Sequence, residues 1–192
     1  MAAGRRQKRQ SGDERLIPIL FLGPSGDRRI PRAVEKLLFR GEALLCRSGQ
    51  TAVFSREGRT YGLFESEGWD ALRWRQSLVV IKEGARGAPL PPNALAGGFV
   101  VRQEDAPWLH QTGEVRGQVV SCGMSLRDTL TYSSCQDGQP VVSLLRPIHG
   151  PFGRLADPQD LPLPPGISGG YTLLAAAAVS LFLGLPPSSN TL

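Results

Sequence analysis

Lysine is nearly absent from this 192-residue chain: Lys8, Lys36 and Lys82 stand against nineteen arginines. The net charge of +5 and pI near 9.6 look like a nucleic-acid signature, but location weakens it. Residues 1–15 hold five basic and two acidic side chains, a balance of +3, which leaves +2 for residues 16–192. The body is almost neutral, so nucleic-acid contact falls to the basic leader, which is expected to be disordered. Cysteine is scarce too. Cys46, Cys122 and Cys135 are odd in number with no CxxC pair, which excludes a disulfide framework and a zinc knuckle and predicts buried thiols. His110 and His149 have no spacing to an acidic or thiol partner, so no metal site and no cofactor is expected. No apolar run of signal-peptide length precedes Leu16, and the expected location is cytoplasmic. Glycine and proline are abundant instead, 23 and 16 residues, and call for short elements with many turns.

Leu16–Leu22 (LIPILFL) is a continuous apolar run that ends at Gly23-Pro24-Ser25-Gly26. It reads as a strand buried on both faces entering a tight loop. Pro31 suits a first helical turn, and Ala33, Val34, Leu37 and Leu38 recur at helical spacing up to Gly41. Ala43–Cys46 is a short apolar run, and Thr51–Ser55 and Thr60–Phe64 flank a turn-like Glu57-Gly58 step. Leu78–Ile81, Phe99–Val101 and Gln118–Cys122 are β-rich and about twenty residues apart, a spacing that suits crossovers between parallel strands. Between them, Asn93–Ala96 or Glu104–Leu109 forms a short helix, and Trp69 and Trp74 cap the sheet. Thr129–Cys135 and Val141–Leu145 flank Asp137-Gly138 and predict an antiparallel hairpin. A Gly/Pro-rich connection over 150–166 leads to the apolar Tyr171–Leu183. The expected fold is α/β, one domain over 16–187, with a mostly parallel sheet flanked by helices and an antiparallel hairpin near the C-terminal end. Residues 188–192 are expected to be disordered.

Three segments carry candidate chemistry. Ile167–Leu185 lacks charge and raises a tail anchor, but its firm helical part, Tyr171–Leu183, reaches only ~20 Å against a hydrocarbon core of ~30 Å. A buried core helix is preferred, with a tail-anchored adaptor as the alternative. Gly166-Ile167-Ser168-Gly169-Gly170 matches the nucleophile-elbow pattern, yet no Asp, Glu or His follows Asp160 to complete a triad. Ser168 is read as a helix-start residue. The loop at Gly23 is the third. A strand, a glycine loop and a helix offer backbone N–H groups to an anion, so Gly23, Ser25, Gly26, Arg28 and Arg29 form a weak anion-binding candidate. A working phosphate loop needs Lys and Ser or Thr after its last glycine, where this chain has Asp27 and Arg28.

The order of these pieces resembles the central, P-loop domain of the Mur ligases, the ADP-forming amino-acid ligases of peptidoglycan synthesis. That family's first strand runs into Gly-x-x-Gly-Lys-Thr, where this chain reads Gly23-Pro24-Ser25-Gly26-Asp27-Arg28. Its later apolar strand with an Asn/Asp-rich turn resembles Phe99–Asp105, its strand ending in Thr-Tyr-Gly resembles Val119–Gly123, and its Ala-rich closing helix resembles Leu173–Leu185. The likeness spans residues 16–187, with both flanking domains absent. The missing Lys and Thr, and Gly169-Gly170 in place of a His-Asn pair, imply a non-catalytic relative. Glu65 and Asp105 are the nearest counterparts of the family's nucleotide-site residues. The resemblance implies a protein of cell-wall context that binds an anionic ligand or a protein partner through Gly23–Arg29. An RNA-associated protein using residues 1–15 is a further alternative.

Overall fold

The computed structural model describes residues 16–68, 73–85, 94–111, 116–136, 138–167 and 169–187. The expectations for residues 1–15 and 188–192, and those resting on Trp69, Asn93, Asp137, Ser168 and the Trp74 and His110 side chains, lie outside them. The strands are β1 (Leu16–Leu22), β2 (Ala43–Ser48), β3 (Thr51–Arg56), β4 (Arg59–Ser66), β5 (Arg73–Ile81), β6 (Leu95–Arg102), β7 (Arg116–Gly123), β8 (Leu130–Gln136), β9 (Gln139–Leu144), β10 (Ile148–His149), β11 (Leu155–Ala156) and β12 (Gln159–Pro162). The helices are α1 (Arg29–Leu38), α2 (Ala106–Gln111) and α3 (Tyr171–Leu183). Ten strands form one sheet in the order β12-β9-β8-β7-β6-β5-β1-β4-β3-β2, and β10 pairs with β11 apart from it. The fold is α/β with a large mixed sheet, parallel from β4 through β1, β5, β6 and β7 to the start of β8, and antiparallel at both ends.

β1 is apolar throughout because it lies inside the sheet, with Ile19 opposite Leu63 on one side and Leu78 on the other. The chain passes from β1 to β4 on one flank and then to β5 on the other, so strand order reverses at β1. In open α/β sheets the carboxyl ends at such a reversal are where ligands sit. α1 buries Ile30, Ala33, Val34, Leu37 and Leu38, one stripe at helical spacing, against the sheet and α3. α3 has no polar face and is buried along its whole length. Ala175–Ala178 keep its backbone close to its neighbours, and Phe182 fills the space over Gly97 and Gly98 of β6. The helix ends at Gly184 in the left-handed conformation, with Leu185 N–H returning to the Ser180 carbonyl. Among the described residues no helix is long and apolar enough to cross a membrane.

Several details depart from expectation. The antiparallel region is larger than one hairpin, because β12 extends β8 and β9, and β2, β3 and β4 form a meander at the other end. Leu95 and Ala96 belong to β6, while α2 takes up the Glu104–Leu109 alternative. β7 and β8 are parallel without a helical crossover. They pair only at Cys122↔Leu130 and Gly123↔Thr131, so β8 starts where β7 ends and residues 124–129 suffice to join them. The 150–166 connection contains β11, β12 and part of the core through Leu163. Of the thiols only Cys122 is buried; Cys46 and Cys135 lie on strands near opposite ends of the sheet and are exposed.

Candidate functional site

The loop between β1 and α1 sits at the strand-order reversal, where an anion was expected, and its polar groups are already engaged. Gly23 N–H donates to the Ser66 carbonyl at 2.9 Å, and Asp27 N–H to the Pro24 carbonyl at 3.1 Å. Ser25 N–H donates to Glu67 Oε1 at 3.0 Å, and Arg29 N–H to Asp27 Oδ1 at 3.1 Å. Two carboxylates of the chain thus occupy donors that a phosphate would need. Only the Gly26 and Arg28 amides of the loop lack an acceptor among the described residues.

The opposite polarity is built underneath. Lys82, the residue after β5, donates from Nζ to the carbonyls of Pro24 and Asp27, each at 3.0 Å, and to Glu65 Oε2 at 3.1 Å. All three ammonium protons have acceptors, which satisfies a cation whose side chain is 0% exposed. The other Glu65 oxygen accepts from Arg28 Nε at 2.9 Å. The loop is a carbonyl cradle around an ammonium ion rather than an amide cradle around an anion. Gly23 makes this approach possible, since its φ is +135° and a Cβ there would lie 2.9 Å from Lys82 Cβ.

A chain of ion pairs crosses the carboxyl ends of the strands. Asp27 Oδ2 meets Arg29 at 2.8 Å, Arg29 meets Glu83 at 2.6 Å, Glu83 meets Arg102 at 3.5 Å, and Arg102 meets Asp105 at 3.1 Å. The hydrogen bond from Arg29 holds the Asp27 carboxyl below its usual range, and Asp27 in turn raises the Arg29 guanidinium. Glu67 is likewise held low by its bond from Ser25. Nearby, the buried Tyr171 hydroxyl donates to the Ile81 carbonyl at 2.6 Å, and burial pushes both this phenol and the Cys122 thiol upward. Neither group is poised for proton transfer or attack near neutral pH.

Beside the loop lies an open groove of about 670 Å³ between α1 and the segment leading into α3. Arg28, Arg29, Arg32 and Lys36 line it, with Ala33 and Ile167 as apolar floor. Lys36 Nζ is fixed by the Gly166 carbonyl at 2.7 Å.

The residues expected to bind an anion therefore part company. Arg28, Arg29 and Gly26 border the groove, whereas Gly23 and Ser25 turn toward β4 and β5. Glu65 lies under the loop, and Asp105 stands at the far end of the ion-pair chain. Among the described residues no group of three or more His, Cys, Asp or Glu side chains could hold a metal ion. Sequence reasoning missed Lys82, Glu67, Arg32 and Lys36. Lys82 had a signal: a rare lysine directly after the apolar Val79-Val80-Ile81 sits at the end of a buried strand. No protein-family model and no curated protein matches this chain in sequence.

Proposed function

We propose that the chain is a non-catalytic relative of the Mur ligase central domain, acting in a cell-wall context as a binding protein for an anionic ligand. The reading rests above all on one observation: Glu67 and Asp27 accept from two of the backbone N–H groups that a triphosphate would need, and Lys82 spends its ammonium on Glu65 and two loop carbonyls. Phosphoryl transfer depends on positioning and charge neutralisation at that loop. Here the ammonium is turned inward and neutralised by Glu65, while two carboxylates cover loop amides. Anion recognition then falls to the cationic side of the loop, where Arg28, Arg29, Arg32 and Lys36 face open space. α3 is taken up by the core and lends no support to a tail-anchored adaptor. A cytoplasmic binding protein is the reading carried forward.

The test is a magnesium-dependent ATP hydrolysis assay on the purified full chain, run beside an Asp27→Lys variant. The reading predicts no turnover by either protein. Saturable turnover by the wild-type chain contradicts it.

A further inference from the structure

We infer that the groove between α1 and the residues Gly166, Ile167 and Thr172 is a binding site for a compact organic dianion, a phosphate monoester or a dicarboxylate, gripped by Arg32 and Lys36. This deepens the anion-binding reading above and rests on it. The four cations of the groove are not equivalent. Arg28 and Arg29 belong to one ion-pair network with Lys82 and Arg102, in which Glu65, Asp27, Glu83 and Asp105 supply one carboxylate for each cation. Among the described residues Lys36 meets only the neutral Gly166 carbonyl, and Arg32 has no side-chain partner. Two positive charges are left over, and they belong to residues one helical turn apart on α1, about 6 Å along its axis. A doubly charged group matches that pair in number and span, with the arginine fork supplying directed donors.

The remaining lining sets size and class. Ala33 and Ile167 give the floor an aliphatic surface, so the ligand carries a small apolar body as well as charge. A volume of about 670 Å³ lies in the range of small-molecule sites. The loop end of the groove is closed to longer polyanions by the Asp27 carboxylate, which lines it, with Glu83 behind Arg29. Among the described residues no aromatic ring lines the groove, which removes the stacking platform that single-stranded nucleic acids use. The Gly166 carbonyl fixes Lys36 before any ligand arrives, so little ordering cost remains for that side chain.

Calorimetric titration of the full chain with phenyl phosphate, succinate and inorganic phosphate tests the site. One-to-one binding of phenyl phosphate or of succinate is expected, and the tighter of the two decides which acid the groove prefers. Arg32→Gln and Lys36→Gln should each weaken it about ten- to a hundredfold. Arg32→Lys should retain part of the affinity, and the distant Arg127→Gln all of it. Urea midpoints of the variants matching the wild type show that folding is intact. Binding undiminished in both glutamine variants but lost in Arg29→Gln overturns the groove and leaves anion binding at the loop standing. No binding of any probe to the wild-type chain overturns both, and inorganic phosphate binding alone overturns the organic body.

Discussion

Lys82 Nζ donates to Glu65 Oε2 at 3.1 Å beneath the loop that joins β1 to α1, with both side chains sealed from solvent. The pair joins the ends of β5 and β4 across β1, and its remaining protons and lone pairs hold the loop itself. A chain that supplies both charges internally has little left to offer a nucleotide there. The cost of removing either partner follows from the same burial.

Lys82→Met should destabilise the protein by about 3 kcal/mol, because Glu65 is then left buried with only Arg28 and two loop carbonyls lose their donor. Adding Glu65→Gln to that variant removes the stranded charge and should recover part of the loss. Urea unfolding of the two variants and the wild type measures both steps.

Acid stability should report the Asp27–Arg29 pair. The folded carboxyl of Asp27 is held below its unfolded value, chiefly by the hydrogen bond from Arg29. Its contribution is therefore complete above the unfolded carboxylate pKa of about 3.9 and is lost as pH falls through the lower folded value. An Asp27→Asn variant should show a flatter decline of stability below about pH 4 than the wild type, read from unfolding midpoints across an acid series.

Two glycines of the same loop should behave differently. Gly23→Ala places a Cβ against Lys82 and Ala85 at φ +135°, at a cost of about 3 kcal/mol. Gly26→Ala meets nothing within 4 Å and should stay within about 0.5 kcal/mol of the wild type. Thermal unfolding of both variants measures the contrast.

Thiol labelling should divide the cysteines. Cys46 and Cys135 are exposed and should react with a thiol-specific reagent in the native protein, whereas the buried Cys122 should react only in denaturant. Mass spectrometry after native and denatured labelling gives the count.

The central strands were legible because burial writes itself into composition: LIPILFL has no polar face, and Leu78–Ile81 and Phe99–Val101 each fall inside a central parallel strand. α1 and α3 were legible for the same reason, one as an apolar stripe and one as apolar throughout. The edges were harder. β2 was read only as a short apolar run because all its residues are exposed, and β12 lies in a stretch whose prolines read as connection. The site was half legible. Gly23, Gly26, Arg28 and Arg29 announce a loop and the family resemblance picks out Glu65, but Lys82 and Glu67, which with Glu65 decide its polarity, arrive from just past the ends of two other strands through long-range register. Arg32 and Lys36 look like the solvated face of a helix until Gly166 is brought against them.

The most direct test is a crystal structure of the protein soaked with MgATP. The account predicts Lys82 still bonded to Glu65 and to the Pro24 and Asp27 carbonyls, Ser25 N–H still on Glu67, and no nucleotide in the loop. An ordered, magnesium-bridged triphosphate seated on the loop amides, with those bonds broken, would contradict it.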